Sequence, residues 1–134
     1  MPFVFDACAL IAFLRDEAGA DQVERLLADE HAECLAHAVN LCEVYYDFLR
    51  ASNEEAVARG AIEDLTALGL VAREDLDPLF WQDAGRYKAK GRISLADCFA
   101  IALSQRVGGT VVTTDHAEFD PIAARNQCRV RFIR

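Results

Sequence analysis

Five short apolar runs alternate with longer helical patterns along the chain, and this alternation constrains the fold more than any other feature. The runs lie at residues 3–5, 33–38, 70–73, 110–115 and 128–134. Between them, apolar residues recur every three to four positions, which indicates amphipathic helices. Strands separated by helices usually pair in parallel, because the helix provides the crossover. We therefore predict an α/β fold with a central, mainly parallel five-stranded sheet flanked by helices, in a single domain spanning residues 1–134.

Turn and cap residues predict where several helices begin and end. Asn53 is expected to cap a helix over residues 53–69, which Gly69 would end. Asp77 and Pro78 mark the entrance of a helix over residues 77–91, and Gly108 follows the apolar helix of residues 94–109. Further helical segments are predicted at residues 9–14, 18–30 and 40–51, with a short helix or turn at 116–126.

Composition narrows the class of protein. The chain has 134 residues, of which 53% are hydrophobic and 27% charged, so it can bury a core and is not disordered. No apolar run reaches the roughly 18 residues of a membrane helix, and the first residues lack the basic segment of a signal peptide. We expect a cytoplasmic protein without membrane association. The net charge of −8 disfavours non-specific nucleic-acid binding, but it allows an enzyme that meets phosphates through bound cations.

Two carboxylates interrupt apolar segments in which an ionised side chain is costly. Asp6 lies in VFDACALIAFL, residues 4–14, and Asp97 lies in SLADCFAIAL, residues 94–103. An unpaired buried carboxylate costs on the order of several kcal/mol. Two further acids have related positions. Asp115 follows the strand-like run TVVTT as Asp6 follows FVF, and Glu43, like Asp97, is expected in the first turn of a helix.

Helix capping is the structural explanation for any one of these acids. SLAD has the spacing of a capping box, NLCE resembles one, and an Asp after a strand is an ordinary N-cap. The four together favour another explanation, because strand ends and first turns of a parallel sheet lie at the same edge. Four anions there would repel one another. A shared Mg²⁺ or Mn²⁺, which prefers oxygen ligands, would relieve that repulsion.

Four acidic segments resemble, in order and spacing, the motifs of PIN domains: VFDACALIAFL, NLCEVYYDFL, GRISLADCFAIAL and VVTTDHAEFD. The chain is most similar to the small bacterial VapC-type toxins, which are ribonucleases. The resemblance implies that Asp6, Glu43, Asp97 and Asp115 are the catalytic residues and metal ligands. It also implies a supporting hydroxyl at Thr113, with Asp120 as a substitute for the fourth acid. The first strand would then lie beside the TVVTT strand.

The resemblance implies a reaction and partners as well. We expect hydrolysis of RNA phosphodiester bonds by a water that Mg²⁺, or alternatively Mn²⁺, activates, without a side-chain nucleophile. We expect the toxin of a type II toxin–antitoxin pair, a homodimer that its cognate antitoxin inhibits. Two alternatives stay open. One is a PIN nuclease that processes RNA, or acts on DNA, without an antitoxin, and the other is a catalytically silent PIN-like module that binds a partner.

A basic segment precedes the helix that carries Asp97. It reads GRYKAKGRI, residues 85–93, and contains Arg86, Lys88, Lys90 and Arg92. We expect these side chains to contact the RNA backbone beside the metal site. The alternative is a solvated helix end, where the helix dipole favours basic residues.

Overall fold

A five-stranded sheet with seven helices around it makes up the computed structural model, which describes all 134 residues. The strands are β1 (Pro2–Phe5), β2 (Glu33–His37), β3 (Val71–Arg73), β4 (Thr110–Thr113) and β5 (Arg129–Phe132). The helices are α1 (Ala7–Leu14), α2 (Ala20–Ala28), α3 (Ala38–Ser52), α4 (Glu55–Ala67), α5 (Pro78–Lys90), α6 (Leu95–Val107) and α7 (His116–Ala124). The predicted α/β class and the five strands are confirmed.

The sheet is parallel throughout, and its strand order places β1 at the centre. The order is β3-β2-β1-β4-β5, and every neighbouring pair is parallel. The adjacency of β1 and β4, which the family resemblance implied, is therefore confirmed. None of the helices is both long enough and apolar enough to cross a membrane.

Adjacent residues of the central strands pack into two separate cores, one on each face of the sheet. Val4 and Val111 belong to a core formed with α5, α6 and α7. Phe5 and Val112 belong to a second core formed with α1, α2, α3 and α4. Because successive strand residues face opposite sides, a strand that is covered on both sides is apolar throughout. The runs FVF and TVV are continuous for this reason, and the domain has three layers.

Several helix ends lie where the cap residues predict them. Asp77 accepts the N–H of Phe80 at 3.4 Å and caps α5, with Pro78 as the first helical residue. Ser94 caps α6, and Gly108 follows its last residue with a left-handed φ of 66°. These helix ends could be predicted from the sequence because each cap residue satisfies backbone groups of its own helix.

Two predictions about helix starts were wrong. Asn53 does not cap α4; it ends α3 in the left-handed region, at φ 56°, which Asn tolerates better than most residues. The helix predicted over residues 40–51 begins earlier, at Ala38, because the His37 imidazole accepts the N–H of Val39 at 3.0 Å and caps it. The segment NLCE is therefore not a capping box.

Candidate active site

The carboxyl ends of the paired strands β1 and β4 form the centre of the candidate site. Asp6 directly follows β1, and Asp115 lies two residues beyond β4. Each acid caps the helix that follows. Asp6 Oδ1 accepts the N–H of Ala9 at 2.9 Å, and Asp115 Oδ1 accepts the N–H of Glu118 at 3.0 Å. Capping thus occupies one oxygen of each carboxylate and leaves the other for different partners.

One hydroxyl links these two strand ends. Thr113 Oγ1 donates to Asp6 Oδ2 and accepts the N–H of Asp115 at 2.9 Å. Asp6 and Thr113 are both fully buried, so solvent does not compete for these bonds. The Thr113 hydroxyl therefore fixes the Asp6 carboxylate relative to the backbone that carries Asp115.

Asp97 forms only half of the capping box that its spacing indicates. Ser94 Oγ accepts the N–H of Asp97 at 3.2 Å, as a capping box requires. The reciprocal bond is absent, because the N–H of Ser94 donates to Glu118 Oε2 at 2.7 Å instead. Asp97 is buried, with 7% of the residue exposed, and its carboxylate does not accept the N–H of Ser94 at the start of its own helix. Capping therefore does not explain the carboxylate of Asp97.

Asp97, Asp115 and Glu118 form the closest group of acids at this edge. One carboxylate oxygen of each lies within 4.8 Å of the others. Glu118 was missed from the sequence, although Asp115 and Glu118 have capping-box spacing of their own. That box is also half-formed, because the N–H of Asp115 donates to Thr113 rather than to Glu118. The Glu118 side chain instead reaches the start of α6.

Glu43 approaches the same edge from α3. It lies in the second turn of that helix, not in the first as predicted, because α3 begins at Ala38. Asn40, one turn earlier, donates from Nδ2 to the carbonyl of Ala96 at 3.3 Å and holds α3 against the start of α6. Burial raises the pKa of the half-buried Glu43, and the Glu118 carboxylate raises it further.

Burial without a basic partner raises the pKa of the two innermost acids. Desolvation raises the pKa of Asp6 to about 7, although hydrogen bonds from Thr113 and Ala9 act in the opposite direction. Desolvation, followed by the charge of Asp6, raises the pKa of Asp97 to about 8. Neither acid forms an ion pair, nor do Glu43, Asp115 and Glu118. The protein itself does not neutralise this edge.

The donor set fits a hard divalent cation. Mg²⁺ and Mn²⁺ bind carboxylate oxygens and keep several waters, whereas zinc sites are usually built from Cys and His. The close group of Asp97, Asp115 and Glu118 contains carboxylates alone. A cation bound there would counter the desolvation and repulsion that raise the pKa values of the buried acids.

Asp120 lies apart from the close group of acids. Its carboxylate is exposed, and Oδ1 lies 2.9 Å from His116 Nδ1. The His116 ring also stacks on Phe132, with 3.9 Å between ring centroids. Asp115, rather than Asp120, therefore lies close to Asp97 and Glu118.

The predicted basic segment divides into two pairs of side chains. Arg86 pairs with Asp83, and Lys88 Nζ donates to the carbonyl of Ile93 at 2.8 Å. Lys90 and Arg92 make no ion pair and line a cavity of about 340 Å³ that Glu118 also lines.

The fold and the acidic edge define an α/β domain whose candidate centre lies at the carboxyl ends of parallel strands. The sequence matches the family model of the PIN domain over residues 3–124. The chain therefore belongs to the PIN domain family, whose VapC-type members are nucleases. No curated protein sequence matches the chain.

Solved structures of toxin–antitoxin proteins have a similar fold. VapBC-1 from nontypeable Haemophilus influenzae aligns with a TM-score of 0.74 at 15% identity, over 99% of this chain and 98% of that one. VapBC2 from Rickettsia felis, bound to a promoter DNA fragment, gives 0.73 at 14% identity, over 98% of each chain. VapC20 from Mycobacterium tuberculosis, a sarcin–ricin loop cleaving toxin, gives 0.69 at 17% identity, over 96% of this chain and 98% of that one. At sequence identities this low, the structural alignments establish the shared fold alone.

Proposed function

We propose that this PIN domain is a Mg²⁺-dependent endoribonuclease and the toxin of a type II toxin–antitoxin pair. One observation carries the proposal. Five carboxylates converge at the edge formed by β1 and β4: Asp6, Glu43, Asp97, Asp115 and Glu118. No basic side chain forms an ion pair with any of them. Buried carboxylates need a counter-charge, and a divalent cation is the counter-charge that suits a site built only of carboxylates.

The proposed roles follow from the position of each side chain. Asp97, Asp115 and Glu118 would hold the cation, with Mn²⁺ as an alternative to Mg²⁺, and Asp6 would complete the set from the buried side. When bound, the cation would lower the pKa of a coordinated water and neutralise charge at the scissile phosphate. The Thr113 hydroxyl would keep Asp6 in position.

Glu43 would orient the attacking water and accept its proton. Its carboxylate is half-buried, and its pKa is raised by desolvation and by Glu118, which makes it a better proton acceptor than an exposed carboxylate. It stands on a third helix, α3, which leaves it outside the close group of acids. The separation suits a group that acts on water rather than one that binds the cation directly.

The biological part of the proposal draws on the similar structures. Two of them are VapBC proteins, and one of the toxins cleaves the sarcin–ricin loop. By analogy of fold, we propose RNA as the substrate, a cognate antitoxin as the inhibitor, a homodimer as the assembly and the cytoplasm as the place of action. Expression of the chain alone should arrest growth, and co-expression of a neighbouring antitoxin gene should relieve the arrest.

The deciding experiment compares purified wild-type protein with Asp97→Asn on structured and unstructured RNAs. Each reaction contains Mg²⁺, Mn²⁺ or EDTA, and Glu63→Gln, an exposed acid on α4, serves as the matched control. We expect cleavage that requires the cation, that Glu63→Gln retains and that Asp97→Asn lowers by about a hundredfold or more.

Thermal unfolding of the same samples separates the remaining explanations. Mg²⁺ should raise the Tm of the wild-type protein and of Glu63→Gln, but not that of Asp97→Asn. Absence of cleavage, together with a Tm that no divalent cation changes, would favour a catalytically silent binding module. Cleavage without growth arrest would favour an RNA-processing nuclease.

A further inference from the structure

The side-chain amide of Asn40 lies buried between two helices of the acidic edge. No part of the residue is exposed, and Nδ2 donates to the carbonyl of Ala96 at 3.3 Å. Because a carbonyl oxygen only accepts hydrogen bonds, the amide nitrogen must face Ala96, and this fixes the orientation of the whole group. The amide oxygen, Oδ1, therefore faces away from Ala96 and is itself buried.

Oδ1 of Asn40 has no hydrogen-bond partner within the protein, and it is the only buried side-chain nitrogen or oxygen atom without one. A buried acceptor without a donor destabilises a fold, and an apolar side chain of similar shape avoids that cost. The carbonyl of Ala96 does not depend on Asn40 either, since its regular partner within α6 is the N–H of Ala100. The stability of the fold therefore does not explain an asparagine at this position.

The bond from Asn40 to Ala96 lies between two carboxylates of the site. On α3, Asn40 and Glu43 are three residues apart and share one side of the helix. On α6, Ala96 directly precedes Asp97. Burial is the largest cause of the raised pKa of Asp97, and the charge of Glu43 is among the smaller causes, so the two carboxylates lie near each other. One hydrogen bond thus joins the helix positions that carry them.

Few other contacts fix the start of α3 against α6. Of the fifteen residues of α3, only Asn40 and Val44 are buried. The bond from Asn40 is also the one hydrogen bond between the two helices. His37 caps α3 through the N–H of Val39, but that bond holds the first turn together and does not reach α6. The placement of α3 relative to α6 therefore depends on Asn40.

We propose that Asn40 is a positioning residue, which holds Glu43 in place opposite Asp97 by tying α3 to the start of α6. This inference rests on the proposed nuclease function and deepens it, since it names the group that aligns the water-orienting acid with a ligand of the cation. Misplacement of a reacting group by about 1 Å can lower a rate by about a hundredfold. The His37 cap remains in Asn40 variants, so α3 stays helical and only its placement becomes loose.

The first experiment separates positioning from stability. Asn40→Leu keeps a branched side chain without polar atoms, and Asn40→Ala serves where leucine is too large for the site. Both variants should lower kcat for Mg²⁺-dependent RNA cleavage by about tenfold and leave KM within about twofold. The Tm of Asn40→Leu should equal or exceed that of wild type, because the substitution removes the unpaired Oδ1.

Ser104→Ala is the matched control. Ser104 is also buried and donates from its side chain to a backbone carbonyl, that of Gly109 at 2.9 Å, but it lies near the other end of α6. Its loss should lower the Tm by about 2–5 °C and leave kcat per folded molecule unchanged. Asn40 variants that lose Tm and keep kcat, as Ser104→Ala should, would overturn the proposal.

A double-mutant cycle tests whether Asn40 acts through Glu43. In the Glu43→Gln background, Asn40→Ala should change kcat by less than about twofold, because the carboxylate that it positions is already gone. The same loss of about tenfold in both backgrounds would show that Asn40 does not act through Glu43 and would contradict the proposal.

Hydrogen exchange distinguishes a failure of this proposal from a failure of the nuclease, because it requires no cleavage. In EDTA, the backbone amides of residues 41–45 should exchange about tenfold faster in Asn40→Ala than in wild type, and those of residues 99–103 should be unchanged. If wild type cleaves RNA and neither kcat nor exchange responds to Asn40→Ala, the proposal falls and the nuclease stands. If exchange in α3 accelerates but wild type cleaves nothing in any metal, the nuclease falls and the tie between α3 and α6 stands. If wild type cleaves nothing and exchange is unchanged, both fall.

Discussion

Carboxylates lie near both ends of helix α6, and their pKa values are shifted in opposite directions at the two ends. Near its C-terminus, Arg106 bonds to Asp75 at 3.1 Å and to Asp77 at 2.8 Å, and Arg73 makes two bonds of 2.9 Å to Asp75. The hydrogen bond from Arg73 lowers the pKa of Asp75, and that from Arg106 lowers the pKa of Asp77 to about 2. At the other end, burial raises the pKa of Asp97 to about 8.

The difference shows which cluster of acids is complete and which needs something from outside. Near Arg106 the chain supplies its own counter-charge, so the carboxylates are ionised and contribute to structure. Near Asp97 no basic side chain forms an ion pair with the acids, and the neighbouring carboxylates destabilise one another. Ionisable groups with strongly shifted pKa values, and without a structural role that explains the shift, are candidates for function. The N-terminal end of α6 is therefore the end where a ligand should act.

The largest expected effect tests which acids belong to the incomplete cluster. Glu118→Gln should lower Mg²⁺-dependent RNA cleavage by about a hundredfold, because it removes one carboxylate of the close group. Asp120→Asn, two residues away, should retain cleavage within about twofold, because its carboxylate contacts His116 instead. Cleavage rates at saturating Mg²⁺ measure both. Equal losses in the two variants would contradict the assignment of Glu118.

The pH dependence of stability should reveal the uncompensated acids directly. The pKa of Asp6 is about 7 in the folded protein against an ordinary value of 3.8, so the folded state binds a proton that the unfolded state releases between these two pH values. Stability of the metal-free protein should therefore be greatest near pH 4, fall as the pH rises, and level off near pH 8, where Asp97 is also ionised. Denaturant unfolding in EDTA across this range should show a loss of roughly a few kcal/mol.

Added cation provides the control for that profile. Mg²⁺ at millimolar concentration should raise the Tm more at pH 8 than at pH 5, because protons compete with the cation for the same oxygens. Asp97→Asn should flatten the profile in EDTA, since it removes one buried charge. Stability that rises from pH 4 to pH 8 without metal would show that the acids have another counter-charge.

Thr113→Val should have an intermediate effect by loosening the centre of the incomplete cluster. The substitution keeps the shape of the side chain and removes the hydroxyl that bonds to Asp6 and to the N–H of Asp115. Because the Thr113 hydrogen bond lowers the pKa of Asp6, its loss should raise that pKa further. We expect about a tenfold loss of kcat, an alkaline shift of the rate profile and a stability loss of about 1–3 kcal/mol.

The comparison variant is Thr114→Val, at the next position beyond β4. Thr114 forms no side-chain hydrogen bond of the kind that Thr113 makes to Asp6. Its rate profile should therefore match that of wild type. An unchanged profile in both variants would show that the Thr113 hydroxyl does not position Asp6.

The smallest expected effect is at the compensated end of α6. Arg106→Gln should lower the Tm by about 2–4 °C, because the ion pairs lie partly in solvent and the guanidinium also packs 5.2 Å from the Phe80 ring centroid. Cleavage per folded molecule should not change. A differential scanning experiment and a rate measurement on the same sample check both parts. A loss of cleavage would show that the two ends of α6 are coupled.

Local sequence patterns determined much of the architecture. The runs FVF and TVVTT could be identified as strands because a strand that is covered on both faces is apolar along its length. Asp77, Ser94 and Gly108 marked helix ends because caps act within a few residues. The acids Asp6 and Asp97 were conspicuous because an ionised side chain in an apolar run requires an explanation. Patterns of this range are read from neighbouring residues alone.

Only the tertiary structure decided how these pieces meet. The bond between Thr113 and Asp6 joins positions 107 residues apart, and the bond between the Ser94 N–H and Glu118 joins positions 24 residues apart. Both capping boxes at the site are half-formed because partners from other elements take the reciprocal bonds. Caps and periodicity follow from local backbone bonding, whereas the choice of a distant partner depends on how whole strands and helices pack. The sequence therefore determined which residues are acidic and roughly where they stand, and the packing of β1 beside β4 brought them together.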